Sequence, residues 1–285
     1  MARQVMYKKC CFFLNFGILS YILRSDYVKA VIVQNVKEAY NIKEVVDAYI
    51  LPIKDFSINY ENTFTLEDIE EVISLKKDTF VMVNKNIHNS ELEDLKKLLL
   101  KLNEFDIKGV FFYDTAVLTL RKKLGLKFDL VWSQEHLTTN FKTINFWYDM
   151  GAKYTYLSSE LNRKEIEEII KKSKAKLFIN VFGYLPMFTS RRHLVKNYLN
   201  SFNIKDGNKD KVLYKEEKKY KIIDTKNGTT VYSNYILNIK EKINLVYLVY
   251  NSYKVDNIKE ILTHNTYEEE LGFLDKEVIY KVKEK

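Results

Sequence analysis

The middle of the chain repeats one pattern: a short apolar run, a polar turn, then an amphipathic helix. The runs are Ala30–Val33, Tyr49–Ile53, Phe80–Val83, Gly109–Tyr113, Leu130–Trp132, Tyr154–Leu157 and Leu177–Phe182. They are rich in Val, Ile, Phe and Tyr and carry no charge, as strands buried on both faces require. Between them, Leu92, Leu95, Leu99 and Leu102 form one helical face. Ile166, Ile169 and Ile170 form another, opposite Glu165, Glu167, Glu168, Lys171 and Lys172. Thr65, Asn89 or Ser90, and Asn162 read as helix starts. Runs recur every 20–30 residues or so, the length of a βα unit. Seven such units by residue 182 predict either an α/β barrel or an open doubly wound sheet. No Gly-rich phosphate loop follows the first run, which argues against the open Rossmann sheet. The expected fold class is therefore α/β, a TIM-barrel-like (β/α)8 fold.

Leu245–Tyr250 supplies the expected eighth strand. Before it, Lys221–Asp224 and Thr229–Tyr232 flank Asn227-Gly228 and read as an inserted β-hairpin. A short helix is expected near Tyr235–Ile243. The organisation expected is an apolar N-terminal extension over 1–26, a barrel over 27–265 and a tail over 266–285. Within the barrel, 200–210 reads as a linker loop and 219–232 as the hairpin insertion.

The net charge is +8 with a pI near 9.0, which permits contact with nucleic acid or another polyanion. The Lys residues alternate with Glu from Lys164 to Lys176 and from Lys209 to Lys221, which also suits solvated faces. The two cysteines, Cys10 and Cys11, are adjacent. They offer neither a disulfide framework nor a Cys-rich metal site, and they fit a reducing, cytoplasmic compartment. Cys10–Leu23 is short for a transmembrane helix, and no small-x-small cleavage site follows it. It reads as a covered N-terminal element, and no membrane partner is expected.

In a barrel the site lies where strands end. Asn84, Lys85 and Asn86 follow the third run, and Asp114 follows the fourth. Glu135 and His136 follow the fifth, Glu160 the sixth, and a Gly183–His193 loop the seventh. Asp114, Glu135, His136 and Glu160 are the acid–base candidates. Asn84, Lys85, Asn86, Tyr184, Ser190, Arg191, Arg192 and His193 are the substrate-binding candidates, the Arg pair being suited to carboxylate or phosphate. Each has a plainer alternative: Asp114 and Glu160 as helix caps, His136 as a turn residue, and Arg191–Arg192 as a solvated helix start. No His-Glu-x-x-His pair and no Gly-x-Ser-x-Gly elbow is present, and no metal site is expected.

The runs LSSELNRKEIEEIIKK and KLFINVFGYLPMFTSRRHLVKNYL resemble the collagenase-like peptidase family, peptidase family U32. VMVNKNIHNSELEDLKKLL, FFYDTAVL, VWSQEHLTTN, INFWYDMGAKYTYLSSE and KKYKIIDTKNGTTVYSNYILN agree with it. The resemblance implies an α/β barrel and, by family label, a protease. It also covers members that hydroxylate RNA or quinone precursors, some with prephenate as oxygen-transfer partner. Many of these hold an iron–sulfur cluster on four cysteines, two of them in this loop. Here those positions are Pro186 and His193, so no cluster and no other cofactor is expected, while Ser190 and Arg192 keep the Ser-x-Arg step. The role implied is that of a short, cysteine-poor accessory member in tRNA or rRNA modification, acting beside a longer cluster-bearing family member. The alternatives are a genuine peptidase using the barrel-mouth carboxylates, and an enzyme holding a small carboxylate ligand.

Overall fold

The computed structural model describes residues 27–134, 136–207, 211–239, 247–264 and 267–277. The N-terminal extension and Glu135 lie outside them, as do the last four residues of the helix expected near Tyr235–Ile243.

Seven parallel strands come in order: β1 Val28–Ile32, β2 Ala48–Pro52, β3 Asp78–Val83, β4 Gly109–Phe112, β5 Asp129–Trp132, β6 Tyr154–Tyr156 and β7 Lys176–Ser190. An eighth, β11 Tyr247–Asn251, pairs in parallel with both β1 and β7 and closes the ring. The helices are α1 Val36–Ile42, α2 Leu66–Ile73, α3 Leu92–Leu102, α4 Thr115–Leu124, α5 Phe141–Met150, α6 Arg163–Lys172, α7 Leu194–Ser201 and α8 Ile258–His264. This is the (β/α)8 barrel expected, with further strands bonded outside the ring.

The alternation of side chains along each strand divides the core into two layers. Ile32, Ile50, Phe80, Phe111, Tyr154, Phe178 and others point inward. Phe80 meets Phe111, Tyr154, Phe178 and Tyr247 edge-on at centroid distances of 5.1–6.0 Å, the orientation aromatic quadrupoles favour. The opposite set, including Val31, Tyr49, Val81 and Phe112, packs under the helices. Leu95, Leu99 and Leu102 bury the inner face of α3. Thr65 and Asn162 make the expected capping boxes, with Asp68 and Glu165. The third start falls at His88 rather than Asn89 or Ser90: the His88 amide donates to Glu91 Oε2 at 2.9 Å ahead of a one-turn 3-10 helix, Asn89–Glu91.

The stretch read as a loop after residue 182 is strand. β7 continues to Ser190, changing partner at Gly183 from the barrel to the antiparallel β10, Gly228–Asn238. Gly183 has φ +112, and a Cβ there would lie 2.3 Å from the Asn251 carbonyl oxygen, so only glycine turns this corner. Pro186 sits in the strand where the β7–β10 register shifts, a place that needs no N–H. The insertion is also larger than a hairpin: β8 Lys211–Lys215 and β9 Lys218–Thr225 complete a β7-β10-β9-β8 flap. Tyr235 to Asn238 belong to β10 and not to a helix, because Ile236 and Leu237 pair with Tyr184 and Gly183.

Candidate functional site

The strand ends and the flap enclose a cavity of 170 Å³ at the barrel mouth, lined among others by Asn59, Asn84, Ser133, Gln134, His136 and Arg191. The flap is tied over it by side chains. The Thr189 and Thr230 hydroxyls both donate to Asn59 Oδ1, at 2.8 and 2.9 Å. Asn227 Nδ2 donates to the Ser57 carbonyl at 2.9 Å, and Lys226 pairs with Asp55.

Beside the cavity lies a charged cluster that the strand-end rule only half finds. Lys85 is 5% exposed. Its ammonium donates to the Asp55 carbonyl at 2.6 Å and to Glu91 Oε1 at 2.7 Å, and stands 4.9 Å over the Phe56 ring. Arg191 reaches down from the end of β7 to the Asn86 carbonyl, with Nη2 3.7 Å from the same Glu91 oxygen. Burial pushes the Glu91 carboxyl up, but the His88 amide, the Lys85 ammonium and Arg191 outweigh it, and the net shift is downward. Glu91 thus answers the two cations that were expected to hold a substrate. In the sequence it reads only as part of a helix start, and its place between Lys85 and Arg191 depends on the fold.

Among the described residues, Asp114 stands apart from the other acid–base candidates, His136 and Glu160. Asp114 Oδ1 caps α4 at the Ala116 amide and Oδ2 takes the Ile87 amide, both at 2.9 Å, so both its oxygens are spoken for. His136 pairs with Glu160, Nδ1 to Oε1 at 3.6 Å, and both side chains are more than half exposed. Beside them a small cavity of 30 Å³ is lined by Ser158, Ser159 and Asn180. Asn180, missed in the sequence because it sits mid-strand, accepts from the Tyr156 hydroxyl at 2.6 Å. The remaining binding candidates belong to the flap. Tyr184 lies under the Lys221 ammonium, 3.9 Å from ring centroid to Nζ. Ser190 Oγ accepts from the Arg192 amide, and the Arg192 side chain is exposed. His193 Nδ1 lies 3.3 Å from Asp224, whose other oxygen accepts from the Lys196 amide on α7.

Among the described residues, no three His, Cys, Asp or Glu side chains are grouped to hold a metal ion, and no helix is long and apolar enough to cross a membrane.

The chain is similar to tRNA hydroxylation protein P2 of Bacillus subtilis (strain 168), 28% identical over 224 residues, 74% of this chain and 72% of that protein. It is similar to tRNA hydroxylation protein P of Escherichia coli (strain K12), 27% identical over 180 residues, 58% of this chain and 39% of that protein. It therefore spans most of the first relative and about two fifths of the second. Among solved structures, it is similar to orotidine 5'-monophosphate decarboxylase from Methanocaldococcus jannaschii, with 13% identity and a TM-score of 0.44. That match covers 83% of this chain and 95% of the other. Residues 33–262 match the family described as Peptidase family U32, and the chain belongs to that family.

Proposed function

We propose that the chain acts in tRNA hydroxylation, as an RNA-contacting accessory barrel and not as a peptidase. The observation that carries this reading is the 28% identity over 224 residues to a protein named for tRNA hydroxylation. The mouth supports it. A peptidase needs an acid and a base free to move protons at the scissile bond. Asp114 is held by two amides, and Glu91 by two cations and an amide.

An iron–sulfur cluster on four thiolates does not fit these residues. The chain has two cysteines in all, Cys10 and Cys11. Pro186 offers no donor atom, and the His193 ring is already turned to Asp224. The reading therefore assigns any cluster chemistry to a separate, longer family member.

The test is mass spectrometry of hydroxylated uridines in tRNA from a strain lacking this chain. Loss or strong reduction is expected; unchanged hydroxylation would reject the reading. One observation favours hydrolysis instead, the His136–Glu160 pair beside Ser158 and Ser159. Peptide cleavage by the purified chain that disappears in both His136→Ala and Glu160→Ala would establish that alternative.

A further inference from the structure

The chain's net charge is concentrated in one place. Residues 191–226 carry eleven Lys or Arg against five Asp or Glu, a net +6 of the total +8. Its described elements are α7 and the outer two strands of the flap, β8 and β9.

The register sharpens the point. Lys215 stands directly opposite Lys218 across β8 and β9, on the face that also carries Lys211 and the Leu213–Tyr220 pair. Like charges facing each other across an antiparallel pair repel, a cost that a bound anion removes. Among the described residues neither Lys215 nor Lys218 enters an ion pair, although Glu216 and Glu217 form the turn between them.

Aromatic surface belongs to the same stretch. Helix α7 covers the same face of the flap: Asp224, opposite Thr229, binds His193 and the Lys196 amide. Between helix and sheet runs an open groove of 770 Å³, with Leu199, Ile204 and Lys211 among its walls. At the far end of α7 the rings of Tyr198 and Phe202 meet at 4.8 Å, 57% and 64% exposed. Exposed rings interleaved with lysines are what a single-stranded nucleic acid needs, bases stacking on the rings and phosphates meeting the ammonium groups. Lys211, which pairs with Asp206, begins the strand and Lys215 ends it roughly 13 Å away, so the basic groups follow a line instead of marking one point.

We propose that this face of the flap, from the Tyr198–Phe202 pair to the Lys215–Lys218 pair, binds a single-stranded loop of RNA. The proposal rests on the tRNA reading above and names the surface that reading requires. The partner is RNA and not an acidic protein, because two exposed rings belong to the same basic stretch as the cations.

The test is fluorescence anisotropy of the full chain with tRNA and with a labelled single-stranded RNA, across a salt series. Lys215→Glu/Lys218→Glu should weaken binding at least tenfold and flatten the slope of log K against log salt by about 1.4, two contacts at about 0.7 each. Tyr198→Ala/Phe202→Ala should weaken binding about tenfold with the slope kept. Circular dichroism establishes that both variants fold. Wild-type affinity in both folded variants overturns the proposal, as does a wild-type chain that binds neither RNA. Variants that lose binding to polyglutamate but keep RNA binding overturn it in favour of an acidic protein partner. Hydroxylation lost on deletion, with RNA binding unchanged in the variants, rejects this surface and keeps the tRNA role. Weakened RNA binding with hydroxylation unaffected by deletion does the reverse.

Discussion

In the barrel, charge is kept out of the strand interiors and answered where it enters; at the tip of the flap, it is left open. Residues outside 191–226 sum to a net +2, and the buried Lys85 there meets Glu91 at 2.7 Å. Within 191–226 the net is +6, and two lysines face each other with no carboxylate among the described residues paired to either. The barrel strands are buried on both faces, while Leu213 and Tyr214 on β8 are 47% and 66% exposed. The difference teaches that the two regions answer different demands. One stabilises the fold, and the other carries surface that folding does not use.

Substitutions can break that contrast, starting with the largest effect. Phe80→Ala removes the ring at the centre of the barrel's aromatic cluster. It should cost about 4 kcal/mol, read from urea unfolding. Lys85→Met leaves the Glu91 carboxylate without its nearest cation and the Asp55 carbonyl without its donor. A loss of about 3 kcal/mol is expected by the same measurement. At the junction of the two regions, Gly183→Ala forces a side chain into a left-handed backbone against Asn251. A destabilisation of about 2 kcal/mol is expected, with faster protease cutting in the flap than in the barrel.

A smaller effect is set by pH. The folded Glu91 carboxyl titrates below its ordinary 4.5, so its contribution is full above that value and is lost as pH falls through the lowered range. Unfolding midpoints at neutral pH and near pH 3 should therefore differ less in Glu91→Gln than in the wild type. The smallest effect belongs to the flap tip: Lys215→Glu/Lys218→Glu should leave stability within about 0.5 kcal/mol. A larger loss there would mean that the flap tip, like the barrel, contributes to the stability of the fold.

The same contrast decides what the sequence discloses. Barrel strands announce themselves because burial on both faces removes charge from every position, as in Phe80–Val83. The outermost flap strand is exposed or half-exposed at every position, so Lys211–Lys215 reads as a solvated stretch and only the hairpin around Asn227-Gly228 is visible. Gly183 and Pro186 look like loop punctuation, yet one turns a strand from the barrel to the flap and the other marks a bulge. At the site, residue types were legible and their pairing was not. Lys85 and Arg191 were found at strand ends, but the carboxylate between them, Glu91, sits on a helix start. The alternation of Lys with Glu over Lys209–Lys221 hid the charge surplus, because it is the sum over 191–226 that is unbalanced.

The division between mouth and flap is tested most directly by complementation. A strain lacking the chain would receive either a mouth variant, His136→Ala/Glu160→Ala, or the flap variant, Lys215→Glu/Lys218→Glu. Hydroxylated uridine in its tRNA would then be quantified by mass spectrometry. The expected result is restoration by the mouth variant and not by the flap variant. Restoration by the flap variant alone would contradict the account, because the exposed His136–Glu160 pair would then be the part the reaction needs.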